Sequence, residues 1–215
     1  MIELHNIDCM EYLATLEDNA FELAIVDPPY GIKMQGGITY QRPSRPNSYG
    51  KPPKHIKKEW DKYRPSNEYW MHIFRVSKNQ IVWGANYFAE NLPASMGWIY
   101  WGKMEDDSDF SDGELAFTSF NRALKRYKLH QFSGTNGGKT RIHPTQKPVK
   151  LYEWLLMNYA NEGDRILDTH LGSGSIAIAC HNLGFDLVGC ELDTDYFNAA
   201  QKRLKQHQSQ MRIPL

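Results

Sequence analysis

Asp27-Pro28-Pro29-Tyr30 sets a carboxylate, two prolines and an aromatic side by side, directly after the apolar run Leu23-Ala24-Ile25-Val26. An apolar run closed by a proline turn reads as a strand, and α/β sheets bind ligands at the carboxyl ends of their strands. The prolines fix φ and leave their carbonyls without a local N–H competitor. The Asp27 carboxylate and the Pro28 carbonyl can then converge as acceptors on one amino group. The plainer alternative is a strand ended by a proline turn, with Tyr30 as a packing residue. Pro-Pro alone would favour that alternative, but the flanking acid and aromatic argue for a site.

A second cluster, Asp168-Thr169-His170-Leu171-Gly172-Ser173-Gly174-Ser175, follows the apolar Arg165-Ile166-Leu167 and opens a helical pattern. Its glycines let backbone press against a ligand, as a nucleotide-type pocket requires. Glu191, followed by Leu192, ends the next predicted strand about 20 residues on, an offset at which an acid accepts hydrogen bonds from ribose hydroxyls. Gly172 and Gly174 would equally serve a tight strand-to-helix turn. Gly172-x-Gly174-x-x-Ala177 also fits the loose dinucleotide pattern, which keeps a nicotinamide-dependent oxidoreductase open. Chain order opposes it: a dinucleotide fold needs several strands after the acid, and only 24 residues, Leu192 to Leu215, remain. The missing strands must precede the turn, in a circularly permuted sheet.

The elements that must carry these clusters alternate between short apolar runs and helical patterns, the signature of an α/β sheet. Strands are expected over Ile2–Asn6, Leu23–Asp27, Gln80–Gly84, Gly97–Trp101, Glu114–Ser119, Arg165–Thr169 and Leu187–Glu191. Helices are expected near Met10–Leu16, Ser66–Val76, Val149–Tyr159, Ser175–Leu183 and Asp195–His207. At 215 residues and 41% hydrophobic, the chain has material for one sizeable core, so a single domain over 1–215 is expected. Pro43, Pro46, Pro52 and Pro53 mark a long irregular loop at about 31–64.

Formal net charge is zero, yet its distribution is uneven. Lys33 to Arg64 carries nine cations against Glu59 and Asp61, and Arg122 to Arg141 contains no acid. Cys9, Cys180 and Cys190 are odd in number and lack CxxC or Cys/His ligand spacing, so neither a disulfide framework nor a zinc site is suggested, and a reducing cytoplasm fits best. No apolar run approaches the ~20 residues of a membrane span, and the amino terminus lacks a leader pattern.

With Asp27–Tyr30 ahead of Asp168–Gly174, the chain resembles the β-class amino-group DNA methyltransferases, whose catalytic motif precedes the cofactor motif. His143-Pro144-Thr145-Gln146-Lys147-Pro148 is similar to the segment these enzymes place before the cofactor strand. Leu4-His5-Asn6-Ile7-Asp8-Cys9-Met10-Glu11-Tyr12-Leu13 resembles their opening strand and turn, where the residues matching Asp8 and Cys9 contact the cofactor's adenine. Ile81–Phe88 and Ser111–Phe120 resemble segments of small, often phage-borne or restriction-associated members. The resemblance implies a Rossmann-like S-adenosylmethionine-dependent methyltransferase fold with a seven-stranded, mostly parallel sheet, permuted so that the chain begins with the strand that would otherwise follow Glu191. It implies S-adenosylmethionine, with no metal, held by Asp8, Cys9, Asp27, His143, Thr145, Lys147, Asp168, Gly172, Ser173, Gly174, Ser175, Glu191 and Leu192. The family more often shows Asp-Pro-Phe-x-Gly-Ser-Gly at the glycine turn. Here Thr169 and His170 replace the Pro-Phe pair, and His170 is assigned to packing or hydrogen bonding.

The same resemblance implies adenine N6 in DNA as the target, with Asp27, Pro28, Pro29 and Tyr30 catalytic. Cytosine N4 is the alternative, since members with that activity more often carry Ser at the position of Asp27. An inert DNA-binding relative is a more distant alternative. To reach an exocyclic amine in a duplex, the base must be extruded and held against aromatic or apolar side chains, for which Tyr30 is the candidate. Lys33, Lys54, Lys57 and Lys58, with Arg122, Lys125 and Arg126, are candidate phosphate contacts, the alternative being a solvated surface. Target recognition would fall to an insertion at about 103–141, short enough to imply a short site. A monomer or homodimer is expected.

Overall fold

A computed structural model of the chain describes residues 1–32, 61–103, 111–136, 138 and 140–210. Side chains alternate along the strands between two apolar cores, and that period of two fixes the layers. In β2 (Phe21–Val26), Leu23 and Ile25 join one core, and Ala24 and Val26 the other. The same division holds in β3 (Ser77–Trp83), where Ile81 and Trp83 oppose Val82. It recurs in β7 (Arg165–Asp168) and β8 (Asp186–Cys190), through Ile166 against Leu167 and Leu187 against Val188. Helices α1 (Cys9–Ala14) and α2 (Asn67–Val76) cover the Val82 side. The Ile25 side is covered by α3 (Val149–Tyr159), α4 (Ser175–Leu183) and α5 (Thr194–Gln208). Each fully buried large side chain in these layers, Ile25, Trp83 and Leu155 among them, contributes roughly 1.5–3 kcal/mol.

The remaining strands are β1 (Ile2–His5), β4 (Trp98–Gly102), β5 (Gly113–Thr118) and β6 (Lys125–Lys128), in the order β1-β8-β7-β2-β3-β5-β4-β6. The chain's first strand pairs in parallel with its last, Ile2 opposite Leu187, which is the permuted arrangement expected. Among the described residues, pairing is parallel except where β5 meets β3 and β4.

One expectation is corrected. Among the described residues the sheet has eight strands rather than seven: β6 was not foreseen because Lys125-Arg126-Tyr127-Lys128 lies on an exposed sheet edge and needs no apolar alternation. Within 103–141, β5 has Ala116 and Phe117 buried between β3 and β4.

β1, β2, β7 and β8 run in parallel, so Asp8, Asp27, Asp168 and Glu191 stand at or just past the ends of neighbouring strands on one sheet edge. Because β5 is antiparallel to β3, its first residues, Gly113 and Glu114, reach that same edge.

Candidate active site

A cavity of about 550 Å³ opens at this edge, within the range of small-molecule sites. Asp8, Cys9, Asp27, Pro29, His143, Thr145, Lys147, Gly172, Ser173, Glu191 and Leu192 line it, so five distant stretches of chain converge there. Asp8 caps α1, its Oδ1 accepting from Met10 N at 2.9 Å. Glu191 accepts from Gly172 N at 2.7 Å and from Asp193 N at 2.9 Å, so two backbone amides aim its carboxylate. Gly172 makes this possible with φ +52°, in the left-handed region that favours glycine. The edge of His143 packs on Tyr196, centroids 4.3 Å apart.

Three expected cofactor residues are not on the wall. Asp168 lies buried beneath it, with Oδ1 accepting from His170 N, and burial raises its pKa to about 8. Gly174 packs on Ala200 where α4 begins, and the Ser175 hydroxyl is held by Arg203 and Ser173. All three adjoin the turn that presents Gly172 and Ser173. Pro28 and Tyr30 also lie off the wall, behind Asp27 and Pro29 in the chain.

Sequence reasoning missed several wall residues: Gln146, Tyr152, Thr169, Leu171, Asp193, Thr194 and Tyr196. Most are immediate neighbours of residues that were found. His170 is on the wall too, and burial lowers its pKa to about 4, so it is neutral. Its Nδ1 lies 2.9 Å from Thr169 Oγ1, which in turn meets the Tyr69 hydroxyl at 2.8 Å. That network is the hydrogen-bonding role expected for His170.

Asp27 makes two contacts at 2.7 Å or less: Oδ1 accepts from the Tyr30 hydroxyl at 2.7 Å and Oδ2 from Lys147 Nζ at 2.5 Å. The Tyr30 ring stacks on Tyr87, centroids 4.9 Å apart and planes 15° apart. Gly84, φ +65°, makes room for that ring, since a Cβ there would fall 2.1 Å from Tyr30 Cε1. One face of Tyr30 is thus occupied, and Phe88 meets the ring edge-on with centroids 6.0 Å apart.

The wall carries Asp8, Asp27, Glu191 and Asp193 against Lys147 as its cation, a charge balance that suits a positively charged ligand with a hydroxylated sugar. Apolar surface from Pro29, Leu171 and Tyr196 completes it. A family model described as DNA methylase, of the N6/N4 amino-group type, matches residues 80–202.

The chain belongs to the DNA methylase family.

It is an S-adenosylmethionine-dependent DNA methyltransferase, acting on an exocyclic amino group. The methylase is 27% identical over 241 residues to the type II methyltransferase M.HpaI of Haemophilus parainfluenzae, covering 92% of this chain and 72% of that one. It is 24% identical to the type II methyltransferase M2.DpnII of Streptococcus pneumoniae, over 95% of this chain and 90% of the other. The solved complex of M1.HpyAVI with S-adenosylmethionine shares the fold at TM-score 0.62 and 20% identity, covering 95% of the methylase and all of that chain.

Of the residues expected to meet DNA, Lys33, Lys54, Lys57 and Lys58 lie outside the described residues. Lys125 and Arg126 are exposed on the edge strand β6. Arg122 is at the opposite edge of the sheet from Asp27, because β5 runs away from the site before the chain reaches it. Its guanidinium donates to Asn158 O at 2.5 Å and lies over Tyr159 at 5.4 Å, at the far end of α3. Among the described residues, no helix is long and apolar enough to cross a membrane.

Proposed function

We propose that the methylase modifies the N6 amino group of an adenine extruded from DNA, with Asp27 and the Pro28 carbonyl accepting its two N–H groups. The observation that carries this reading is a carboxylate, Asp27, on the cavity wall at the end of β2. The cytosine-N4 members that this chain resembles more often have Ser there. Adenine's N6 lone pair is delocalised into the ring, so the amine attacks poorly until acceptors draw it towards tetrahedral geometry. A carboxylate also stabilises the positive charge that develops on nitrogen, an interaction stronger in the transition state than in the ground state.

S-adenosylmethionine, when bound, supplies an electrophilic methyl group on a sulfonium. Glu191 and Asp8 are suited to its ribose and adenine, and Gly172 and Ser173 to close backbone approach. The side of the Tyr30 ring opposite Tyr87 would stack the extruded base, with Tyr87 bracing the ring from behind. Lys33, Lys54, Lys57, Lys58, Lys125 and Arg126 would meet phosphates, and the portions of 103–141 on the cavity side of the sheet, apart from β5 and β6, would read the target within this single domain.

Mass spectrometry of nucleosides from DNA treated with the methylase tests the base assignment. N6-methyladenine is expected, and N4-methylcytosine in its place would overturn the reading.

A further inference from the structure

Four charged side chains of alternating sign run from the Asp27 carboxylate into the sheet edge. Lys147 Nζ lies 2.5 Å from Asp27 Oδ2 and 3.1 Å from Glu114 Oε2, and Lys103 Nζ lies 2.8 Å from Glu114 Oε1. The Lys147 side chain is 3% exposed, and its ammonium also sits over the Trp83 ring at 5.3 Å. An ammonium withdrawn this far from water needs its carboxylates, and removing one of them is costly.

Asp27 enters the reaction already occupied, one oxygen by Tyr30 and the other by Lys147. Each oxygen keeps a second lone pair, but the bonds to Tyr30 and Lys147 draw electron density from both, so Asp27 becomes a stronger acceptor for an incoming amino group as either donor draws back. Among the described residues the Tyr30 hydroxyl has Asp27 as its acceptor, whereas Lys147 has a second carboxylate in Glu114. We propose that Glu114 is a positioning residue for methyl transfer, retaining the Lys147 ammonium when the target amino group takes its place on Asp27. This rests on the reading of Asp27 as the amine's acceptor.

The charges needed for this exchange persist through the working pH range. Burial alone would raise the Glu114 pKa, but Lys147 and Lys103 outweigh it and bring the value down to about 2. Burial opposes the charge on Lys147, yet Asp27 and Glu114 together raise its pKa above the ordinary lysine value. Without the Glu114 charge, Lys147 would be held by Asp27 alone, and the amine would have to compete with an undivided ion pair. The loss would then appear in the chemical step more than in cofactor binding.

The experiment is single-turnover methylation at saturating DNA and S-adenosylmethionine by Glu114→Gln, Glu114→Asp and Asp27→Asn, with cofactor affinity measured in parallel. Glu114→Gln is expected to slow the step by roughly 10- to 100-fold, with cofactor affinity within about threefold of the parent. Glu114→Asp, which keeps the charge, is expected to recover most of the rate.

The pH profile supplies a second readout. Around Lys147 the titratable groups are Asp27 past β2, Glu114 on β5, Asp168 on β7, Tyr152 on α3 and Tyr30, with Lys103 beyond Glu114. Asp168 is present in parent and variant, and because its pKa also responds to Lys147, the ratio of the two rates follows the Lys147 charge. That ratio should rise with pH for Glu114→Gln, because Lys147, with one carboxylate fewer to hold its charge, loses its proton at lower pH than in the parent and releases Asp27. A parental rate in Glu114→Gln, or equal losses in Glu114→Gln and Glu114→Asp, would overturn the inference. A parental rate in Asp27→Asn would instead overturn the reading of Asp27 on which it rests.

Discussion

Asp168 and His170 stand two residues apart, and burial disfavours the charged form of each, so their pKa values move in opposite directions. For Asp168 the folded value, about 8, exceeds the ordinary 3.8. The stability it contributes is therefore complete below about pH 4 and is lost as pH rises towards 8. His170 titrates only below its ordinary 6.5, so the window from pH 6.5 to 8 isolates Asp168. Asp168→Asn keeps an acceptor for His170 N and removes the ionisation. Its melting temperature should gain on the parent's across this window, at about 1.4 kcal/mol per pH unit and roughly 2–4 °C per kcal/mol. Thermal unfolding of both proteins without cofactor checks this, and parallel pH curves would count against a buried, protonated Asp168.

At the scale of elements, the site depends on how the turn after β3 receives the turn after β2. Gly84 opens the short helical turn Ala85–Tyr87, and its missing Cβ leaves the space that the Tyr30 ring fills. Gly84→Ala must adopt a left-handed φ, costing about 1–2 kcal/mol, and must push the ring aside, taking its hydroxyl off Asp27. The variant should fold with a lowered melting temperature and methylate at least about tenfold more slowly. An unchanged single-turnover rate would show that the Tyr30 contact does not matter to Asp27. Much of this framework is legible in the sequence. The expected bounds of Val149–Tyr159 and Ser175–Leu183 match the structure because apolar periodicity and flanking Pro148 and Gly184 punctuate them. The edge strand β6 carries no such pattern. The contacts of Asp27 with Lys147 and of Lys147 with Glu114 are illegible for a different reason: the partners are far apart in sequence, and only the antiparallel β5 brings Glu114 to the site edge.

On the whole molecule, zero net charge conceals two basic stretches, and the fold separates the members of the second. Lys125 and Arg126 are exposed on β6, whereas Arg122 is engaged with α3 at the edge away from the cavity. Replacing Lys125 and Arg126 together by Ala should weaken binding alike for all DNA sequences. It should also flatten the dependence of log affinity on log salt by about 0.9 for each phosphate no longer neutralised. Arg122→Ala should leave that slope unchanged. Binding titrations over a series of salt concentrations distinguish these outcomes, and a flatter slope in Arg122→Ala would contradict the assignment of faces.

At the centre of the proposed mechanism stands Asp27, as the group that prepares the amine for attack. Single-turnover methylation by Asp27→Ala, with DNA and S-adenosylmethionine both saturating, tests this most directly. The rate should fall by at least ~10²-fold, while fluorescence of 2-aminopurine at the target still reports base extrusion. Methylation by Asp27→Ala at near the parental rate would contradict that role.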